Sequence, residues 1–290
     1  MRGTTSKVSI YGAAFFALTV AGSALAADMP PVYTKAPAMV GKAPVVPFNV
    51  EIGGWVASDY IFRGTTQSNG GPSAGASFTA VWMEKFYLGV AGAAVDWPTT
   101  PAYALSDPSA EIDLYGGFRA SAGKWNFDVG AIYYYYPKEV FFQSDFWEVY
   151  AIAKYTLTDQ LVVGASINYS PDYLKYDIDG TTGALNFTWT APGNMLPNGL
   201  GFYVSGDVGH VWLGERSAAG IFVPDYTYWS LGLGWTWKSV TLDLRYHDTD
   251  LSGGGCQGIW NASGASGINK WCGEAFVAKL SFATSTNALK

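Results

Sequence analysis

The sequence predicts an all-β fold, a transmembrane antiparallel up-and-down β-barrel of about twelve strands. Three observations predict it. From Phe48 onward, apolar and polar residues alternate with a period of two in one segment after another, which sends successive side chains to opposite faces of a sheet. The links between these segments alternate between short and long, as in bacterial outer-membrane barrels with tight periplasmic turns and long external loops. Aromatic residues make up 16% of the chain and Gly 35 of 290 residues, while charged residues reach only 14%. A soluble domain carries about a quarter charged residues. A lipid-facing band with aromatic girdles explains both the surplus and the deficit, whereas a soluble β-sandwich or lectin would put charges on the outward faces.

At the N-terminus, Arg2 and Lys7 precede an apolar run over residues 10–21, and Ala24 and Ala26 supply the small residues that a signal peptidase reads. Residues 1–26 are therefore expected to be a signal peptide cleaved after Ala26. The run is shorter than the ~20 residues of a spanning helix, and no later stretch is long and apolar enough for one. Residues 27–47 carry Pro30, Pro31, Pro37, Pro44 and Pro47, cannot pair as a strand, and read as a Pro-rich periplasmic leader. The barrel is expected over residues 48–283, with 284–290 as a C-terminal tail.

The alternating segments, in order, are 48–63, 72–83, 86–97, 109–122, 125–136, 146–157, 160–170, 184–191, 200–212, 226–237, 240–249 and 273–283. In 109–122, Ile112, Leu114 and Phe118 oppose Glu111, Asp113, Tyr115 and Arg119. In 125–136, Trp125, Phe127, Val129 and Tyr133 oppose Asn126, Asp128 and Gly130. In 226–237, Trp229, Leu231, Leu233, Trp235 and Trp237 face away from Ser230, Gly232, Gly234 and Thr236. Glu84-Lys85, Gly123-Lys124, Thr158-Asp159 and Lys238-Ser239 read as tight turns; 64–71, 98–108, 137–145, 171–183, 213–225 and 250–272 read as long loops. Residues 192–198 form a link of intermediate length. The last segment ends on the aromatic Phe282, as strands recognised by the barrel-assembly machinery do.

A charge on the lipid face costs about 2–4 kcal/mol near the midplane. Glu51, Asp59, Arg63, Glu111, Asp113, Arg119, Asp128, Glu148, Lys154, Asp207, Asp243 and Arg245 are therefore expected to face the lumen. They either pair to hold a closed lumen or line a narrow water-filled pore, and about twelve strands permit both. Gly116, Gly130, Gly164 and Ser166 are expected to leave room inside. Acidic residues in this set outnumber basic ones eight to four, which favours cations if the lumen is open. Tyr133, Tyr134, Tyr135, Tyr136, Phe141 and Phe142 are expected in the outer aromatic girdle.

No nucleophile elbow, phosphate-binding loop, zincin helix or dinucleotide fingerprint stands out, and the two histidines, His210 and His247, read as strand-face residues. No enzyme activity, catalytic residue, cofactor or metal site is expected. A net charge of −6 lacks the basic footprint of nucleic-acid binding. Cys256 and Cys272, in an exported chain and around one Gly-rich loop, are read as a disulfide; zinc would need further ligands. The function expected is passive diffusion of small solutes or ions through the barrel. The alternative is a closed barrel whose external loops bind a ligand, surface or protein. The partners expected are outer-membrane lipid, the assembly machinery and small solutes.

Ser58-Asp59-Tyr60-Ile61-Phe62-Arg63-Gly64-Thr65-Thr66-Gln67-Ser68, followed by Pro72 and an alternating strand, resembles the opening of the TorF-type porin family of Gram-negative bacteria. Tyr246-His247-Asp248-Thr249-Asp250, the two loop cysteines and the closing Leu280-Ser281-Phe282 are similar too. The resemblance spans residues 50–283 and implies an outer-membrane barrel of the porin class, with no catalytic residues to carry over. Asp59 and Arg63, on one strand face, are expected to reach His247, Asp248 or Asp243 across the seam between the first and last strands and to fix its register.

Overall fold

The structure, a computed structural model, describes residues 47–97, 108–139, 143–193, 195–216, 222–259 and 269–288. The expected signal peptide and all of the leader before Pro47 lie outside the described residues, as do Phe141 and Phe142. Twelve strands form the barrel: β1 (Phe48–Ala57), β2 (Ser73–Trp82), β3 (Phe86–Ala94), β4 (Ala110–Ala122), β5 (Trp125–Tyr135), β6 (Phe146–Thr156), β7 (Leu161–Ser170), β8 (Gly180–Thr190), β9 (Leu200–Trp212), β10 (Tyr226–Trp237), β11 (Val240–Thr249) and β12 (Ala275–Ser285). Each strand pairs antiparallel with its neighbours in sequence, and β1 pairs with β12 to close the barrel. Closure leaves no free edge strand, so the backbone of the wall pairs strand to strand around the whole ring, the condition for crossing a hydrocarbon layer.

The dyad pattern sets which face is which. On β4, Glu111, Asp113, Tyr115 and Arg119 are buried while Leu114 is 53% exposed. Leu88, Val129, Val149, Ile167, Leu185, Leu231 and Leu244 are likewise exposed and form an outer aliphatic belt. Aromatic rings flank it on both sides. Phe48, Trp82, Phe86, Trp125 and Trp237 are exposed at the turn end, and Tyr133, Tyr135, Trp147, Tyr169 and Trp212 at the loop end. Neighbouring rings at the turn end touch, as in Phe48 with Trp82 at 5.7 Å and Phe86 with Phe118 at 5.1 Å. Of the four consecutive tyrosines, only Tyr133 and Tyr135 belong to the girdle; Tyr134 and Tyr136 are buried inside. The period of two that turns Asp128, Gly130 and Ile132 inward carries Tyr134 with them.

Several strand boundaries differ from the sequence expectation: β3 ends at Ala94, three residues early, and three further differences bear on the wall. β1 ends at Ala57, six residues early, because the chain then leaves the wall; Arg63 (φ 49°) and Gly64 (φ 80°) reverse it inside the barrel. β8 begins at Gly180, where Thr181 and Thr182 pair on both sides with Tyr169, Asn168, Trp212 and Val211. β12 runs past Phe282 to Ser285, pairing Thr284 with Ile52 and Ser285 with Glu51. Thr286 then donates its backbone N–H to Val50 at 2.9 Å and its hydroxyl to Asn49 at 2.9 Å.

Candidate lumen constriction

Residues 58–71 fold into the loop end of the barrel as a small hairpin, Ile61–Phe62 against Thr65–Thr66. Asp59 organises it, its Oδ1 accepting the hydroxyls of Thr66 at 2.6 Å and Ser68 at 2.9 Å. Burial pushes the Asp59 carboxyl above its ordinary range, and the two hydroxyls and the Tyr60 backbone pull partly back. Gln67 ties the hairpin to the segment that follows β3. Its N–H bonds the Tyr60 carbonyl, its carbonyl accepts from Asp96, and its side chain accepts from the Trp97 indole at 3.1 Å. Gly64 is required at the tip. Its left-handed φ is unfavourable for side chains, and a Cβ there would lie 2.8 Å from Tyr228 Cβ and closer still to the Thr249 methyl.

Two buried anchors fix the hairpin across the lumen. The Tyr60 hydroxyl donates to Glu111 of β4 at 2.7 Å, and Tyr136 donates to the same carboxylate at 2.6 Å. Arg63 reaches Glu148 of β6 with two parallel bonds of 2.8 and 2.7 Å, both side chains 1% exposed. Tyr134 and Asn168 donate to Glu148 as well, each at 3.3 Å, and the guanidinium lies over the Phe62 ring at 4.5 Å. Burial works against the Arg63 charge, but Glu148 outweighs it, with help from Tyr173 and Tyr134, and the guanidinium stays firmly protonated.

This geometry corrects the expected closure network. Asp59 and Arg63 do reach buried positions, but Arg63 engages Glu148 on the opposite wall and the Asp59 carboxylate engages the hydroxyls of its own hairpin. Departure of the chain from the wall after Ala57 is the cause. The seam is instead held by backbone pairing of β1 with β12, with the Lys279 ammonium 5.0 Å from the Trp55 ring centre.

The remaining predicted charges form two further clusters. Arg119 lies between Glu51 at 3.6 Å and Asp128 at 3.4 Å and over the Tyr87 ring at 4.2 Å. The carboxylates are 28% and 23% exposed, so this cluster meets solvent. Lys154, half-buried, is on the same inner face, opposite Asn126. In the third cluster Arg245 pairs with Asp243 at 3.0 Å and bonds Ser205 at 2.6 Å and Ser230 at 3.0 Å. Tyr203 donates to Asp243 at 2.6 Å, and Ser230 bonds Asp207.

The room expected beside the small residues is largely taken. A Cβ on Gly130 would strike the Tyr150 hydroxyl at 2.5 Å, one on Gly164 would strike Asn186 at 2.6 Å, and Ser166 is itself buried. Gly116 faces outward, against Leu88, and Gly117 is the inward one, beneath Tyr87. Gly89, Gly209 and Gly234 likewise lie beneath Tyr115, Tyr228 and Tyr203. Inward tyrosines are thus seated on glycines of the adjacent strand; Tyr115 is on the face where the sequence analysis placed it, while Tyr87, Tyr203 and Tyr228 are lumen residues that the sequence reading missed. Their period-two register with neighbouring charges is the signal that marks them.

A lid of two short helices, α1 (Gly253–Ile259) and α2 (Asn269–Cys272), joined by the Cys256–Cys272 disulfide, lies over the hairpin. The Trp271 indole donates to Asn69 at 2.9 Å and the Thr249 hydroxyl to the Cys272 carbonyl.

No curated protein matches the chain. Among solved structures it is similar to the NanC porin (9% identity, 81% of this chain and 98% of that one, TM-score 0.47). It is also similar to the KdgM porin in complex with disordered oligogalacturonate (8%, 81% and 98%, 0.47). An outer membrane channel from Pseudomonas putida F1 is a third (12%, 87% and 100%, 0.42). Residues 42–272 match a family model described as a bacterial protein of unknown function, Gcw_chp, and not one bearing the TorF name. With most of its length matched, the chain belongs to the Gcw_chp family.

Proposed function

We propose that the chain is an outer-membrane channel that passes small solutes or ions passively, narrowed at its loop end by residues 58–71, and that it catalyses no reaction. One observation carries the reading. A closed twelve-strand wall has an aliphatic belt between two aromatic rings outside and a charged, hydroxyl-rich face inside, the arrangement of a barrel with lipid around it and water within. Solvent reaches Glu51 and Asp128 at the turn end. The TorF-type porin resemblance points the same way. Lipid and the assembly machinery are its partners in this reading, the latter through strand β12, which carries Phe282 three residues before its end at Ser285. Solute efflux from proteoliposomes tests it. Ions and the smallest sugars should escape while oligosaccharides are retained, and retention of every solute would refute it.

A second reading is favoured by the buried Arg63–Glu148 pair and the disulfide-bonded lid, which together obstruct the loop end. It is a closed barrel whose external loops bind a ligand, and uniform retention in the same assay supports it.

A further inference from the structure

Between the two anchors the wall carries a group that the fold does not satisfy. Asp113 is on β4, two residues from Glu111 on the same inner face and directly opposite Tyr134 of β5. It is 2% exposed, and its Oδ1 has no hydrogen-bond partner among the described residues. Burying a carboxylate oxygen without a donor is costly, so an atom left this way calls for water, a proton or an ion to complete it. Its surroundings are rich in oxygen. Tyr60 and Tyr136 spend their hydroxyl protons on Glu111, and Tyr134 spends its own on Glu148. A phenol whose proton is committed offers only lone pairs to a further neighbour. The nearby Arg63 charge is taken up by Glu148 in a two-bond pair.

We propose that Asp113, with Glu111 and the phenol oxygens of Tyr134 and Tyr136, binds a small hard cation of the alkali or alkaline-earth type and makes the constriction pass cations in preference to anions. Carboxylate and neutral oxygen donors are the ligands such ions take. Among the described residues no group of three His, Cys, Asp or Glu converges, so the station is not a cage for a resident metal. Weak holding is what conduction requires, because an ion must leave as readily as it enters. The inference rests on the channel reading and adds the residues at which a permeant cation is held.

The test is the reversal potential of the refolded barrel in a planar bilayer under a KCl gradient. Wild-type protein should reverse at a cation-selective potential, and Asp113→Asn should lose cation preference several-fold while keeping its heat-modifiable mobility. Asp113→Ser is read the same way should the Asn variant not refold. Asp172→Asn, on an exposed loop where Asp172 pairs with Lys175, should leave the preference unchanged. Unchanged selectivity in the Asp113 variants, or an anion-selective wild type, overturns the inference and leaves the channel standing. Silence from folded wild-type protein overturns both.

Discussion

Arg63 and Glu148 are each nearly inaccessible to solvent and bonded twice to one another, so neither is tolerable alone. Breaking a buried pair from one side costs about 3–5 kcal/mol because it strands the other charge. Arg63→Ala should therefore lower the temperature of the heat-modifiable mobility shift markedly. Arg63→Gln with Glu148→Gln should recover most of the loss. A single variant as stable as the wild type would show that the pair does not hold the hairpin. Asp59 makes a prediction of opposite character. Burial raises its pKa above the ordinary 3.8, so between the unfolded and folded values the native state binds more protons, and this contribution to stability falls as pH rises. In Asp59→Asn the amide oxygen can still accept both hydroxyls. The thermal midpoint of that variant relative to wild type should accordingly improve from about pH 4 upward. A difference that does not change with pH would contradict it.

Among the elements, strand register is set by alternation and the tyrosine-on-glycine contacts lock neighbouring strands together. Gly234 on β10 is the tightest case. A Cβ there would overlap the Tyr203 ring, whose hydroxyl holds Asp243. Gly234→Ala should cost about 1–3 kcal/mol through overpacking, measured by urea unfolding from detergent or bilayer. A neutral result would mean that the ring moves freely and carries no load. Most strand boundaries were legible in the sequence, since period two and the tight turns fix them. The hairpin at 58–71 was not, because Ser58, Tyr60 and Phe62 keep alternating with Asp59, Ile61 and Arg63 after the chain has left the wall. Only the left-handed turn at Arg63 and Gly64, a tertiary requirement, ends the pattern.

For the molecule as a whole, alternation places the charged residues on one strand face, yet their partners were not legible. Glu148 lies 85 residues from Arg63 in sequence, and only barrel closure and curvature bring the two together. The proposed constriction was equally hidden, since it depends on a hairpin that reads as strand and on tyrosines that read as girdle. The measurement that bears most directly on the central claim is single-channel conductance in a planar bilayer. Wild-type barrel should be compared with a variant in which residues 58–71 are replaced by a short Gly-Ser link, both verified by heat-modifiable mobility. Small, reproducible steps in the wild type that grow several-fold in the variant are the predicted result. Silence from both folded proteins, or steps of equal size, would contradict a channel narrowed by this hairpin.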